Sequence, residues 1–284
     1  MASAAYSICD VFTDRPLTGN QLAVFLDGAA VPERLLQTLA REINFAETVF
    51  VYAPAGPHTA RARIFTPARE LPFAGHPVLG TAVVLGVVRG IVDVVLETGM
   101  GAVPIALERV QARGAFGRMQ QPVPKIAAFS EPGRILQALG GVSSRLPVEV
   151  YDNGPQHVFV ALDSEETVAR LRPDFTALSE LGAICVNCFA GSGRHWKTRM
   201  FASGMGISED PATGSAAGPL ACHLARHGLI AFGDEIEISQ GIEVGRPSRL
   251  FARAQGSRTR IEAVEVAGAA VVVGRGEFDL DPIV

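Results

Sequence analysis

Cysteine is scarce in this chain: Cys9, Cys185, Cys188 and Cys222 are the only four in 284 residues. So few thiols in so long a chain do not make a disulfide scaffold. There is no excess of either charge sign. The formal net charge is -4, and no run of like charges is long enough to be a tail, so neither nucleic acid nor an anionic membrane is an expected partner. Long hydrophobic runs are missing as well: stretches such as Thr81-Ala-Val-Val-Leu85 fall far short of the roughly 20 residues that span a bilayer. The first residues, Met1-Ala-Ser-Ala-Ala-Tyr-Ser7, lack the basic flank and apolar stretch of a secretory leader. The chain is therefore expected to be soluble and cytoplasmic. It has no low-complexity segment, no Walker loop and no Rossmann fingerprint.

What is present is apolar material. Hydrophobic residues make up 48% of the sequence, enough for a full core in one large or two medium domains. Tyr6–Phe12 and Gln21–Leu26 read as strands about the turn Thr18-Gly-Asn20. Pro32–Ile43 reads as a helix, with proline in its first turn and Leu35, Leu36, Leu39 and Ile43 on one stripe. Glu47–Tyr52 and Ala60–Phe65 follow as strands. His76–Leu85 reads as a short buried helix opened by Pro77 and closed by Gly86. Later strands include Ile91–Glu97, Val148–Tyr151, Val158–Leu162, Ile184–Phe189, Glu235–Ser239 and Ala270–Val273.

A weak internal repeat organises these segments. Gly19-Asn-Gln-Leu-Ala-Val-Phe25 resembles Gly154-Pro-Gln-His-Val-Phe-Val160, an offset of 135 from residue 19 to residue 154. To within one residue, the same offset relates Arg63-Ile-Phe65 to Arg199-Met-Phe201 and carries Gly75 onto Asp210. Two similar α+β halves are expected, each with a turn into a buried helix at the same point. The cleft between such halves is the natural place for a ligand.

Three segments carry side chains suited to chemistry. In Asn44-Phe-Ala-Glu-Thr-Val-Phe50, Glu47 enters a strand among apolar neighbours. In a dry cleft its pKa would rise toward the range of a general acid or base; an ordinary exposed edge glutamate fits the same residues. In Leu71-Pro-Phe-Ala-Gly-His-Pro-Val78, His76 precedes a proline-opened helix, whose positive end favours neutral imidazole. Gly75 permits close approach to the helix-start N–H groups, which suit a carboxylate; a capping histidine is the plainer alternative. Ser208-Glu-Asp-Pro-Ala-Thr-Gly-Ser-Ala-Ala-Gly218 offers Asp210, Thr213, Gly214 and Ser215 ahead of a helix, as an anion-binding nest or as simple capping.

Other patterns take the blander reading. Cys185-Val-Asn-Cys188 has redox or zinc spacing but no second pair, and strand alternation would separate the two thiols, so both are expected in or near the core. His223-Leu-Ala-Arg-His227 has helical metal spacing without the glutamate of a zincin, and His227 is expected to support a helix C-terminus. His157 falls at a strand start, His58 in a loop, and Arg194-His-Trp-Lys-Thr-Arg199 reads as a solvated strand edge.

Taken together, the chain resembles the PhzF-like phenazine-biosynthesis isomerase family, which shares its fold with diaminopimelate epimerase. The resemblance runs nearly end to end. It is carried by Gly19-Asn20, Ala46-Glu-Thr-Val-Phe-Val51, Arg63 through Pro77 and Asp210-Pro-Ala-Thr-Gly-Ser-Ala-Ala217. Tyr151 through Val160, Asn187 through Trp196, Gly218 through Gly228 and Gln240 through Ser248 resemble the phenazine-pathway branch specifically.

The resemblance implies an α+β fold of two pseudo-symmetric epimerase-like domains, each a mixed sheet or barrel around a central helix. Residues 1–119 would form one, with a tail of about 270–284 packing back on it, and 120–269 the other. It implies cofactor-free, metal-free isomerisation of trans-2,3-dihydro-3-hydroxyanthranilate, by a shift of a proton from C3 to C1, in a homodimer. Glu47 would carry the proton. His76 and Asp210 would orient the substrate, and Gly75, Gly214 and Ser215 would line its carboxylate site. The alternative within the family is another small cyclic or amino acid as substrate. Outside it stand a catalytically silent binding protein and a metal hydrolase built on His223 and His227. Two positions depart from close relatives: Ala46 where serine is common, and Gln156 where arginine is. Epimerase relatives use one thiol per half; here the repeat pairs Gly75 with Asp210, and neither is a cysteine, which removes two-thiol racemisation.

Overall fold

A computed structural model describes residues 3–281. Met1 and Ala2 of the leader reading, and the last three residues of the 270–284 tail, lie outside them. The chain divides into two compact units, one running to Met119 and resuming at Ala267, the other Gln120–Val266.

The first unit holds β1 (Ser3–Val11), β2 (Asn20–Phe25), α1 (Glu33–Ile43), β3 (Glu47–Tyr52), β4 (Ala60–Phe65), β5 (Glu70–Leu71), α2 (Gly75–Arg89), β6 (Asp93–Thr98), β7 (Gly101–Glu108) and most of β8 (Gly114–Gln121). The second holds β9 (Lys125–Ala128), α3 (Pro132–Ala138), β10 (Glu149–Asp152), β11 (Gln156–Ala161), α4 (Glu165–Arg170), α5 (Phe175–Ser179), β12 (Cys185–Ser192), β13 (His195–Ala202), β14 (Ile207–Asp210), α6 (Gly214–Arg226), β15 (Glu235–Gln240) and β16 (Ser248–Gly256). The last strand, β17 (Ile261–Asp279), runs through the end of the second unit and returns to the first.

The strand pairings repeat. In the first unit β1 and β2 are antiparallel, β2 and β3 parallel, β3 and β4 antiparallel, β4 and β6 parallel, and β6 and β7 antiparallel. The second repeats this order through β10, β11, β12, β13, β15 and β16. Short β5 and β14 sit at matching places beside β4 and β13. In the first unit the sheet closes on itself. β7 pairs with β8, β8 with β17, and β17 with β1 from Val11↔Ala270 to Ser3↔Asp279.

Each unit buries one helix among its strands. Every residue of α2 from Gly75 to Gly86 is buried, as is every residue of α6 from Gly214 to Ala225. Both sequences are apolar on nearly all sides, with His76 and Thr81 in one and Ser215 and His223 in the other as the buried polar side chains, as a helix enclosed by sheet requires. By contrast α1 is two-faced: Leu36, Leu39 and Ala40 are buried against Phe25, Phe50 and Phe65, and its other face is solvated.

Three sequence expectations need correction. First, α2 does not stop at Gly86. It runs to Arg89 and ends on Gly90 at φ 68°, whose N–H reaches the Gly86 carbonyl at 2.9 Å. Gly86 is there for space: a Cβ would lie 2.3 Å from Leu107 Cδ1. Second, the two buried helices start at Gly75 and Gly214, so the structural counterpart of Gly75 is Gly214, not Asp210; extra residues in the second unit's turn shift the repeat. Neither position is a cysteine. Third, the basic cluster on β13 is not a solvated edge. Trp196, Lys197 and Arg199 are buried. Lys197 Nζ meets Glu243 at 2.7 Å, and Arg199 grips Glu209 through Nε and Nη2 at 2.8 and 2.7 Å. Burial would drive the Arg199 pKa down, but Glu209 holds it above its ordinary value.

Candidate active site

Glu47 is the first residue of β3, opposite Leu22 on parallel β2. The chain enters β3 from α1 through Asn44, a left-handed cap at φ 56°. The strand is buried up to Val51, and Glu47 keeps 9% of its surface. Its Oε2 faces His76 Nε2 at 3.4 Å. His76 is the second residue of α2, and its Nδ1 lies 3.2 Å from Asn20 Nδ2 at the start of β2. Burial pushes the imidazole pKa down to about 3, against a smaller opposing hydrogen bond with the Gln21 backbone. His76 is therefore neutral at physiological pH. No side chain caps α2, and Pro77 brings no N–H, so the N–H groups of Gly75 and His76 form its uncapped positive end.

In the second unit Asp210 ends β14 and is buried. Its Oδ2 accepts the Thr213 hydroxyl at 2.6 Å. Gln240, from β15, braces this turn: its amide nitrogen donates to the Asp210 carbonyl at 2.8 Å and to Thr213 Oγ1 at 2.9 Å, while its Oε1 accepts the Thr213 N–H at 3.1 Å. Helix α6 then begins at Gly214 with Ser215 next.

Proline at 219 explains the surroundings of Ser215. A proline inside a helix removes the N–H that would bond four residues back, here at the Ser215 carbonyl. Asn153 Nδ2 supplies the missing donor at 2.9 Å. Gln121 Nε2 donates to the neighbouring Gly214 carbonyl at 2.8 Å. It fits there because residue 218 is glycine: a Cβ would lie 2.4 Å from both Gln121 Oε1 and Val264 Cγ1. On its hydroxyl side Ser215 meets His157 Nε2 at 3.1 Å.

Within the first unit the structure brings Glu47, Gly75 and His76 together, and within the second Asp210, Gly214 and Ser215. It adds Asn20, Gln121, Asn153, His157 and Gln240, to which the sequence reading gave no role in the site. Their one signal is a polar side chain beside a strongly apolar strand, as at His157 before Val158-Phe-Val-Ala161. Of the two departures, Ala46 is partly exposed, and Gln156 is exposed with its amide 3.4 Å from Asp152.

The remaining candidates fall outside both clusters. All four cysteines are buried and unbridged. His58 lies 3.8 Å from Glu97. His223 and His227 converge on Glu149 of β10, at 3.2 and 3.0 Å from its Oε2. Those three are spaced as metal ligands would be. However, the Arg226 guanidinium sits 2.8 Å from the same carboxylate oxygen and supplies the positive charge a metal would bring. None of the helices among the described residues is long and apolar enough to cross a membrane.

Comparison with known proteins adds a family context. Residues 9–276 match the family model PhzC-PhzF, described as phenazine biosynthesis-like protein. A trans-2,3-dihydro-3-hydroxyanthranilate isomerase of Pseudomonas aeruginosa is 51% identical over 95% of this chain and 98% of its own length. Among solved structures, a PhzF-family phenazine biosynthesis protein from Bacillus anthracis superposes with a TM-score of 0.86 at 24% identity, covering 99% of this chain and all of the other. A hydroxyproline epimerase from Agrobacterium vitis, at 14% identity, covers 99% of this chain and 94% of its own with a TM-score of 0.63. These last two likenesses concern the fold, which is the two-unit α+β architecture described above.

Proposed function

The chain belongs to the phenazine biosynthesis-like (PhzC-PhzF) family, and from that premise we propose that it isomerises trans-2,3-dihydro-3-hydroxyanthranilate in phenazine biosynthesis, with Glu47 as the proton carrier. The observation that carries the reading is a glutamate with nine-tenths of its surface withdrawn from water and one oxygen 3.4 Å from a neutral histidine. A full-length relative at 51% identity bears that substrate in its name.

In the proposed reaction Glu47 removes the hydrogen from C3. The double bonds at C1–C6 and C4–C5 shift to C3–C4 and C5–C6, and Glu47 delivers the proton to C1. The resulting enol tautomerises to an amino ketone. Atoms balance, and no electrons are gained or lost overall. One carboxyl group serves both carbons when they present the same ring face, because the bound ring is held while the proton moves. Neutral His76 suits a site that must receive a proton on Glu47, since an adjacent imidazolium would favour the carboxylate throughout. His76 in the first unit and Asp210 in the second are the groups suited to orienting an amine or hydroxyl, and the helix-start N–H groups of each unit, at Gly75 in the first and at Gly214 and Ser215 in the second, are suited to a carboxylate. The start of α6, with Asp210 braced by Thr213 and Gln240, is pre-set by protein hydrogen bonds, which is what electrostatic preorganisation requires.

Turnover in heavy water tests this directly. The expected product carries less than one full deuterium at C1, because the migrating proton is partly retained. Absence of turnover, with activity on another small cyclic acid, would replace the substrate and keep the family. The protein is proposed to act in the cytoplasm as a homodimer; sedimentation at the mass of a single 30.0 kDa chain would rule the dimer out.

A further inference from the structure

His157, in the second unit, has no part in the proposed proton transfer. It is wholly buried on β11, at 0% exposure, and its ring lies between Asn187 and Ser215. Nε2 is 3.1 Å from Ser215 Oγ, and Nδ1 is 3.4 Å from Asn187 Nδ2. The Asn187 amide cannot be turned over, because the same nitrogen donates to the Cys185 carbonyl at 2.8 Å and a carbonyl accepts only from N–H. The amide's second hydrogen therefore points to His157 Nδ1, which must accept it. A neutral imidazole has one donor and one acceptor, so the proton sits on Nε2 and is donated to Ser215 Oγ.

We propose that His157 is a positioning residue for substrate binding: by donating to Ser215 Oγ, it leaves the serine hydroxyl hydrogen as the one free to turn toward the substrate carboxylate. The chain of donors runs Asn187, His157, Ser215, anion. Each link fixes the direction of the next, so the hydroxyl does not have to choose between accepting and donating when an anion arrives. Ser215 is held at its other end as well, through the Asn153 amide on its carbonyl, so neither its backbone nor its side chain must reorganise. Burial keeps the ring neutral, with its pKa pushed down to about 3, and a protonated ring would clash with the Asn187 donor. No acceptor for the Ser215 hydroxyl hydrogen stands among the described residues. The inference rests on the proposed reading of Ser215 as part of the carboxylate site.

Two readouts test it separately. The first is the ¹⁵N chemical shift pattern of His157 in the unliganded protein. The expected result is a single tautomer protonated at Nε2 from pH 5 to 8; protonation at Nδ1 would overturn the inference whatever the substrate. The second is a double-mutant cycle read as KM against kcat. His157→Leu is expected to raise KM about 10- to 100-fold, the scale of one hydrogen bond to a charged group, with kcat within about threefold. Ser215→Ala should do the same, and the double variant should be no worse than either alone. His157→Gln, whose amide nitrogen reaches the former Nε2 position, should restore most of the affinity and retain the fold if leucine does not. Additive losses, or a fall in kcat with KM unchanged, would show a merely structural histidine. A wild-type protein that neither turns over the dihydro acid nor binds 3-hydroxyanthranilate would sink the functional reading instead, and the tautomer measurement would still decide this one.

Discussion

Glu47→Gln is expected to lower kcat by on the order of 10³-fold or more while leaving the fold in place. Removing a positioned general acid or base costs roughly 10²- to 10⁴-fold, and here one group is asked to serve both the removal and the return of the proton. The amide is isosteric with the carboxyl, and its oxygen can still face His76 Nε2 across the 3.4 Å separation. No cavity opens and no charge is stranded, so the melting temperature should stay within a few degrees of wild type. Affinity for 3-hydroxyanthranilate should change little, because the carboxylate and amine contacts belong to other residues. Rapid-quench measurement of a single turnover, together with a melting curve, checks both halves. Near-normal turnover in a folded variant would take Glu47 out of the reaction.

Acid should destabilise the protein well above the usual carboxylate range. His76 and His157 hold folded-state pKa values of about 3, against about 6.5 in an unfolded chain. Both are depressed, so below pH 6.5 the unfolded state takes up protons that the folded state refuses. Stability therefore rises with pH through this window and is lost as pH falls from 6.5 toward 3. The slope is about 1.4 kcal/mol per pH unit for each histidine once the unfolded one is fully protonated. His223, also shifted down by burial, adds in the same direction. Glu149 takes over at lower pH. Burial alone would raise its pKa, but hydrogen bonds from His223, His227, Arg226 and Tyr151 hold it below the ordinary value. Its contribution is present above about pH 4.5 and fades as the pH falls further. Urea denaturation at half-unit steps from pH 7 to pH 4.5 measures the slope. A midpoint independent of pH over that range would mean that these rings take up protons without unfolding.

The first site cluster was legible in the sequence because its parts are local. Ala46-Glu-Thr-Val-Phe-Val51 announces a buried strand with a carboxyl at its mouth, and Gly75-His-Pro77 announces a helix start. Which neighbour Glu47 would meet could not be read, because His76 lies 29 positions away and reaches it through the parallel pairing of β2 with β3 and the burial of α2. Gly86 misled for a related reason. Within the sequence it looks like a helix stop, and only the approach of Leu107 shows that it serves packing. The charges of β13 misled because strand alternation says nothing about Glu209 and Glu243 waiting on neighbouring segments.

Composition, periodicity and short motifs alone pointed to an α+β chain with two related halves, a turn into a buried helix at the same point of each, and one glutamate entering an apolar strand. All of these depend on residues within a turn or two of one another, where propensity and spacing act. Only the tertiary structure decided that His157 lies against Ser215, that Asn153 replaces the donor lost at Pro219, and that Gly75 corresponds to Gly214. Those contacts join residues distant in sequence. Their hydrogen bonds are set by the register of whole strands, which no local pattern encodes.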